Sequence, residues 1–163
     1  MALEVRLAAP DEVEEVGRIT VEAYTEDGLL VPDDPYVAHL ADAASRAAAA
    51  ELWVAVEAST VLGSVTYCRP GTPFAELAAD GEGEFRMLSV SAAARRRGVA
   101  RALVQLCLDR STTLDLEAVV LSSLPEMTGA HRLYRSFGFV RTPERDWSPM
   151  PGVDLWAFRL PLQ

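Results

Sequence analysis

At 163 residues, half of them hydrophobic and 7% aromatic, the chain is long enough to bury a substantial core, and one domain over residues 1–163 is expected. A formal net charge of −9 argues against a broad nucleic-acid-binding face, and no apolar run approaches the ~20 residues of a membrane span. The opening Met-Ala-Leu-Glu-Val-Arg-Leu lacks the basic-then-apolar layout of a secretory signal, and Cys68 and Cys107 stand far apart with no histidine beside them. Neither a zinc site nor a disulfide framework is therefore expected, and a reducing cytoplasm is the default location. All fifteen cations are arginine, which with the abundant alanine is the compositional mark of a GC-rich bacterial genome.

Taken in chain order, Leu3, Val5 and Leu7 alternate as a first strand. Asp11 opens a helix whose early acids, Glu12, Glu14 and Glu15, suit the positive helix start, and Val13, Val16, Ile19 and Ala23 form one face. After a segment punctuated by Gly28 and Pro32, an alanine-rich helix is predicted over about residues 35–49. Leu52, Val54 and Val56, then Val61, Val65 and Tyr67, read as two strands joined by a short turn, and the Pro- and Gly-rich residues 69–82 as a loop. Glu84 to Val90 reads as a strand with a flaw. Its apolar residues, Phe85 and Met87 and then Leu88 and Val90, slip by one in phase, which a β-bulge would produce.

The second half is more regular. A helix over 98–110 places Val99, Ala102, Leu103, Leu106 and Cys107 on one face, and the unbroken apolar run Ala118 to Leu121 fits a strand covered on both sides. Strand, helix, strand in that order is a right-handed unit with a parallel pair. A helix over about 127–137 aligns Ala130, Leu133, Tyr134 and Phe137, and Gly138 stands where a left-handed residue ends it. Phe139-Val140 begins a short strand. Residues 143–152 read as a loop, and Val153 to Leu160 as a last strand.

Charge is unevenly spread. Residues 1–83 hold four arginines against sixteen acids, whereas residues 84–141 hold nine against five. The basic segment contains Arg95-Arg96-Arg97-Gly98 at a strand-to-helix turn. Unpartnered amides at a helix start, the helix dipole, a glycine that leaves room and a rim of guanidinium groups make an anion site, best suited to a pyrophosphate. A phosphate loop of the Gly-Lys-Ser/Thr kind is excluded because the chain has no lysine, and the three spaced glycines of a dinucleotide fingerprint are missing. A solvated arginine run remains the plain alternative.

Two blocks sharpen this reading. Arg95-Arg96-Arg97-Gly98-Val99-Ala100 fits the pattern Arg/Gln-x-x-Gly-x-Gly/Ala, and Ala130-His131-Arg132-Leu133-Tyr134-Arg135-Ser136-Phe137-Gly138-Phe139 fits Ala-x-x-Leu-Tyr-x-x-x-Gly-Phe. In this order, with a predicted strand between them, they resemble the GNAT superfamily of acyl-CoA-dependent N-acyltransferases. The resemblance is close over about residues 84–141 and extends to the whole chain in its order of elements. It implies an α+β, three-layer fold: a mixed, mostly antiparallel sheet of about seven strands with a central parallel pair, flanked by about four helices.

It also implies a site. Acetyl-CoA would lie with its pyrophosphate on the turn formed by Arg95, Arg96, Arg97, Gly98, Val99, Ala100 and Arg101, and its pantetheine arm along Leu88, Ser89 and Val90. CoA would be the product, with no metal involved. The bulge would turn backbone N–H groups towards the thioester carbonyl. Tyr134 matches the tyrosine that protonates the leaving thiolate, against a plain reading as a core tyrosine. Glu84 matches a position that supplies the general base in some members, against a plain reading as a solvated residue at a strand start. Met127 departs from the pattern, since the family often has Asn there. His39 and His131 read as surface or helix-face residues.

The reaction needs a neutral amine. At pH 7 an alkyl amine of pKa ~10.4 costs roughly 4.6 kcal/mol to deprotonate, an α-amino group of pKa ~8 far less. Tyr24, Glu26, Asp27, Asp33 and Asp34 put negative charge near the expected acceptor mouth, with Trp147 and Trp156 in the closing segment, so a cationic acceptor is expected. A small-molecule amine and a peptide N-terminus both remain open, as does homodimerisation through a sheet edge. A non-catalytic acyl-CoA-binding domain is the second reading.

Overall fold

The computed structural model describes residues 2–26 and 28–162. Its strands are β1 (Glu4–Leu7), β2 (Glu51–Glu57), β3 (Thr60–Cys68), β4 (Glu82–Val90), β5 (Ala118–Ser123), β6 (Val140–Arg141), β7 (Trp147–Met150) and β8 (Val153–Pro161). Its α-helices are α1 (Val13–Glu26), α2 (Tyr36–Ala41), α3 (Ala43–Ala49), α4 (Val99–Thr113) and α5 (Thr128–Phe137). The sheet runs β1-β2-β3-β4-β5-β8-β6, with β7 attached to β8. Every pairing is antiparallel except β4 with β5. The expected mixed sheet with a central parallel pair is therefore present, with one strand and one helix more than the sequence indicated.

Strand alternation splits the molecule into layers. On one face Ala55, Val65, Tyr67, Phe85, Val119, Leu121 and Phe158 pack under Val99, Leu103, Val104 and Cys107 of α4 and Tyr134 of α5. On the other, Leu52, Val54, Val56 and Val61 pack under Val16 and Ile19 of α1 and Ala43 of α3. A third cluster, including Tyr24, Tyr36, Leu40, Met87, Leu124 and Leu155, lies where these layers meet the open end of the sheet.

Two local expectations are corrected. The helix predicted over 35–49 is two helices, because Asp42 leaves the helical region (φ −83°, ψ 63°) and its carboxylate accepts from the Ser45 amide at 3.1 Å and hydroxyl at 2.7 Å. A side chain well suited to capping has outcompeted alanine propensity. The break matters for packing, since a Cβ on Gly17 of α1 would run into the carbonyl of Ala41. The second correction is β7, read as loop, which folds back on β8 with Trp147 opposite Leu155.

The phase slip in β4 is a bulge. Ser64 pairs with Ser89 but Thr66 with Arg86, so Met87 and Leu88 together face Val65, and Met87 takes φ +54°. The bulge sends Phe85 and Leu88 into the α4–α5 cluster and Met87 into the cluster beside α1 and α2.

Candidate active site

The site begins where two parallel strands part. β4 and β5 pair from Glu82–Ala118 to Phe85–Leu121, yet β4 continues to Val90 and β5 to Ser123. Beyond Phe85 one edge of β4 has lost its neighbour. The Ser91 amide donates to the Leu62 carbonyl at 2.8 Å, so Ser91 faces β3. By the two-residue alternation of an antiparallel ladder Ser89 does too, and the N–H and C=O groups of Leu88 and Val90 face the vacated edge.

Tyr24, Phe85, Arg86, Met87, Leu88, Ser122, Ser123, Met127 and Tyr134 wall the narrow cleft in this split. Tyr134 is 4% exposed, its ring against Phe85, Phe139 and Phe158, and burial pushes its phenol well above the ordinary tyrosine range. Its hydroxyl has no hydrogen-bond partner among the described residues. Tyr24 lines the same cleft and is also raised, by burial first and by Tyr36 second, and Tyr24 adds in turn to the rise at Tyr134. The cleft thus offers two neutral O–H donors and no ionised tyrosine at neutral pH.

A separate opening lies further along β4, at the arginine turn. A cavity of about 360 Å³ there is walled by Val90, Ala94, Arg95, Arg96, Gly98, Val99, Ala100, Arg101, Gly129 and Leu133. Gly98 is the N-cap of α4 with φ +78°, and Arg96 also has positive φ at +64°. No protein atom lies within 4 Å of a Cβ built on Gly98, so glycine is needed for its backbone angle and keeps the space before the helix open. Arg101 lies over Phe137 at 5.0 Å and donates to Ser136 at 3.0 Å.

Two residues assigned to the cofactor have their side chains elsewhere. The Arg97 guanidinium is held by Glu57 at 2.7 Å, on the β2–β3 hairpin, and does not wall this cavity. Ser89 is buried, its hydroxyl donating to the Met87 carbonyl at 3.3 Å. Neither residue is in the wall of the cleft or of this cavity.

Glu84 is not a solvated strand-start residue. It is fully buried; Oε1 accepts from the Leu77 amide at 2.9 Å and the Ala78 amide at 3.0 Å, while Oε2 is buried with no partner. Burial raises its pKa above the ordinary carboxylate range, partly offset by those amides. It pins the 69–81 loop and walls neither the cleft nor the cavity described next.

That second cavity, of about 440 Å³, opens on the other side of the bulge. Its walls include Tyr36, His39 and Asp42 at the α2–α3 break, Pro73, Phe74 and Glu76 of the loop, Arg86 and Met87 of β4, and Trp147 to Pro149 of β7. Since Arg86 and Met87 belong to both walls, cleft and cavity meet at the bulge. The acids expected at this mouth are not in its wall. Glu26 lies along a separate shallow groove on α1, Asp33 is exposed, Asp34 accepts from the Tyr36 amide at 2.9 Å, and Asp27 lies outside the described residues. Trp147 is in the wall, but Trp156 stacks on His131 at 5.7 Å.

His39 is exposed on the cavity rim, whereas His131, expected near the surface, is 2% exposed. The His131 ring lies 3.1 Å from both the Ser123 hydroxyl and the Leu124 carbonyl, and burial lowers its pKa. It braces the end of β5 against α5. Met127, at the N-cap of α5, makes no side-chain cap bond and turns its sulfur to the Ser123 hydroxyl at 3.8 Å. The helix therefore forgoes a cap that Asn would supply, worth about 1 kcal/mol. Arg86 was missed by the sequence reading. Its signal was a cation between Phe85 and Met87 inside an apolar strand. Both cysteines are buried thiols, and among the described residues no cluster of metal-ligating side chains occurs and no helix is long and apolar enough to cross a membrane.

The sequence model of the Acetyltransferase (GNAT) family matches residues 14–139, which takes in the split strands, the arginine turn and α5. The chain belongs to the GNAT acetyltransferase family. Among solved structures, this GNAT chain is 29% identical to a GCN5-related N-acetyltransferase from Kribbella flavida, covering 99% of this chain and 98% of that one with a TM-score of 0.69. The putative acetyltransferase yncA from Salmonella typhimurium, solved with its cofactor acetyl-CoA, shares the fold at a TM-score of 0.71 and 20% identity, covering 100% of this chain and 95% of that one. An N-acetylaspartate synthetase from Danio rerio is 34% identical over 74 residues, 45% of this chain. The chain spans about a quarter of that relative's length (26%).

Proposed function

We propose that this GNAT protein transfers the acetyl group of acetyl-CoA directly to the primary amine of an acceptor bound with it, without a covalent enzyme intermediate. The observation that carries the reading is the vacated edge of β4, where Leu88 and Val90 present unpaired backbone groups between the left-handed turn at Gly98 and the free hydroxyl of Tyr134. The residues fit the cofactor's chemistry. Gly98, Val99 and Ala100, with Arg95, Arg96 and Arg101 around them, suit a pyrophosphate. The Val90 and Leu88 edge suits the amide groups of a pantetheine arm. The bound thioester supplies an activated acetyl group; the protein supplies position, polarity and proton traffic.

The Leu88 amide, fixed by the bulge, faces the negative charge that develops on the carbonyl oxygen as the amine nitrogen bonds to the carbonyl carbon. As the carbon–sulfur bond breaks, the Tyr134 hydroxyl passes its proton to sulfur, and the tyrosinate so formed regains one from water before the next turnover. The raised pKa of Tyr134 keeps it in the donor form at every working pH. The amine's proton leaves through water to Glu84 Oε2, which lacks a partner and belongs to a carboxyl made more basic by burial. Glu84 acts at one remove, since its side chain walls neither cleft nor cavity.

The acceptor enters from the cavity beside the bulge. A volume of about 440 Å³ suits a small amine rather than a folded protein surface, and the N-acetylaspartate synthetase that matches this chain is named for an amino-acid product. Thiol release from acetyl-CoA, with mass-spectrometric detection of product, tests the reading across small amines, amino acids and peptides. Acceptor-dependent release of CoA in step with an acetylated product is expected. Acetyl-CoA binding without turnover on any amine would instead favour a non-catalytic acyl-CoA-binding domain.

A further inference from the structure

Two arginines are buried beside the acceptor cavity with no carboxylate paired to either among the described residues. Arg86 is 9% exposed and lies in the wall of both cavity and cleft. Its contacts are a long hydrogen bond to the Phe74 carbonyl at 3.4 Å and the face of Trp147 at 5.7 Å. Behind the wall Arg46 is 1% exposed; it donates to the His39 carbonyl at 2.8 Å, and its Nε is buried without a partner. Burial draws the pKa of Arg46 down to about 10, and the charge of Arg86 contributes to that lowering.

Buried cations are stable only when paired or hydrogen-bonded, and a guanidinium that faces a cavity with a single long hydrogen bond keeps donors for an anion. The acids nearby do not fill it. Glu84, two residues before Arg86, gives Oε1 to the loop amides; the Arg86 charge acts on it at a distance, but the two form no ion pair. Asp42 is committed to capping α3 through Ser45. Glu76 is exposed on the rim, where it suits an incoming ammonium group rather than the buried guanidinium. Tyr36, Phe74, Met87 and Trp147 supply the apolar remainder of the wall.

We infer that the acceptor is an amino acid, its carboxylate held by Arg86 and its apolar side chain lying against Phe74 and Trp147, so that the amine faces the bulge at Met87. The inference rests on the transferase reading and narrows it. It replaces the cationic acceptor expected from Asp33 and Asp34, which stand outside the cavity wall. An α-amine also titrates below an alkyl amine, which lowers the cost of presenting the free base.

The test compares phenylalanine and leucine with their uncharged amides as acceptors, alongside acetyl-CoA binding measured by calorimetry on the same protein. Wild type is expected to prefer each acid over its amide by on the order of 10- to 100-fold in kcat/KM. Arg86→Met is expected to abolish that preference and Arg86→Lys to retain part of it, because lysine keeps the charge but loses the forked geometry. A wild-type enzyme that acetylates amides as well as acids, or that turns over other amines but no amino acid, overturns the inference and leaves the transferase reading standing. Preference for the acid that survives in a folded Arg86→Met protein overturns it as well. Absence of acetyl-CoA binding would overturn both.

Discussion

Tyr134→Phe is expected to lower kcat by about 10²- to 10⁴-fold, the usual worth of a positioned general acid, with little change in the KM for acetyl-CoA. The ring packs against Phe85, Phe139 and Phe158, and phenylalanine keeps those contacts. Only the hydroxyl is lost, and it supports no other hydrogen bond among the described residues. The variant should therefore melt close to wild type, which separates a chemical defect from an unfolded protein. Thiol release in the steady state, with an unperturbed acetyl-CoA titration, is the measurement. A kcat within about twofold of wild type would remove Tyr134 from the chemistry and return it to the core. The same cleft contains Tyr24, so a partial loss would point to its hydroxyl as a second donor.

The largest effect on stability is expected at Glu82, far from the bulge. Its carboxylate accepts from the Ala79 amide at 2.9 Å, from Arg145 at 2.8 and 3.1 Å and from Arg159 at 2.7 Å, tying the 69–81 loop to the last strand. Burial pushes this carboxyl up, but the bonds from Arg145, Ala79 and Arg159 outweigh it and hold the pKa down at about 2, against an ordinary 4.5. Because the folded-state pKa is depressed, the stabilisation is fully present above pH ~4.5 and is lost as pH falls towards 2. Its size is on the order of 3 kcal/mol. Glu82→Gln should cost about 3 kcal/mol at pH 7, near the lower bound for breaking a buried pair, because Arg159 can turn to solvent. For a chain of this length that lowers Tm by about 6–12 °C. Thermal melts of both proteins between pH 2 and pH 7 test this: the gap should close as acid protonates Glu82 in the wild type. A gap that stays constant with pH would show that Glu82 is not held ionised.

Local chemistry made much of this architecture legible in the sequence. Arg95 to Ala100 and Ala130 to Phe139 lie where their pattern required, at the start of α4 and along α5. The phase slip at Met87 and Leu88 proved to be the bulge, because apolar side chains must reach opposite layers on either side of it. Gly138 takes the left-handed angle its position called for, φ +103°. What escaped the reading was set by partners distant in sequence. Arg97 looks like its neighbours Arg95 and Arg96, yet Glu57 on another hairpin claims it. Glu84 looks like an exposed acid until the loop amides of Leu77 and Ala78 close over it. The acids around Asp33 and Asp34 suggested a cationic acceptor because proximity along the chain was read as proximity to the site. The wall holds a cation instead, Arg86, on a strand that reads as apolar core.

The account depends on a single grip: the vacated edge at Leu88 and Val90 together with the turn at Gly98 holds acetyl-CoA. Isothermal titration of the purified protein with acetyl-CoA at modest salt tests it most directly. The expected result is one-to-one binding with a Kd in the range of about 1 µM to 1 mM, competed by CoA. A folded protein that gave no heat with millimolar acetyl-CoA would contradict it.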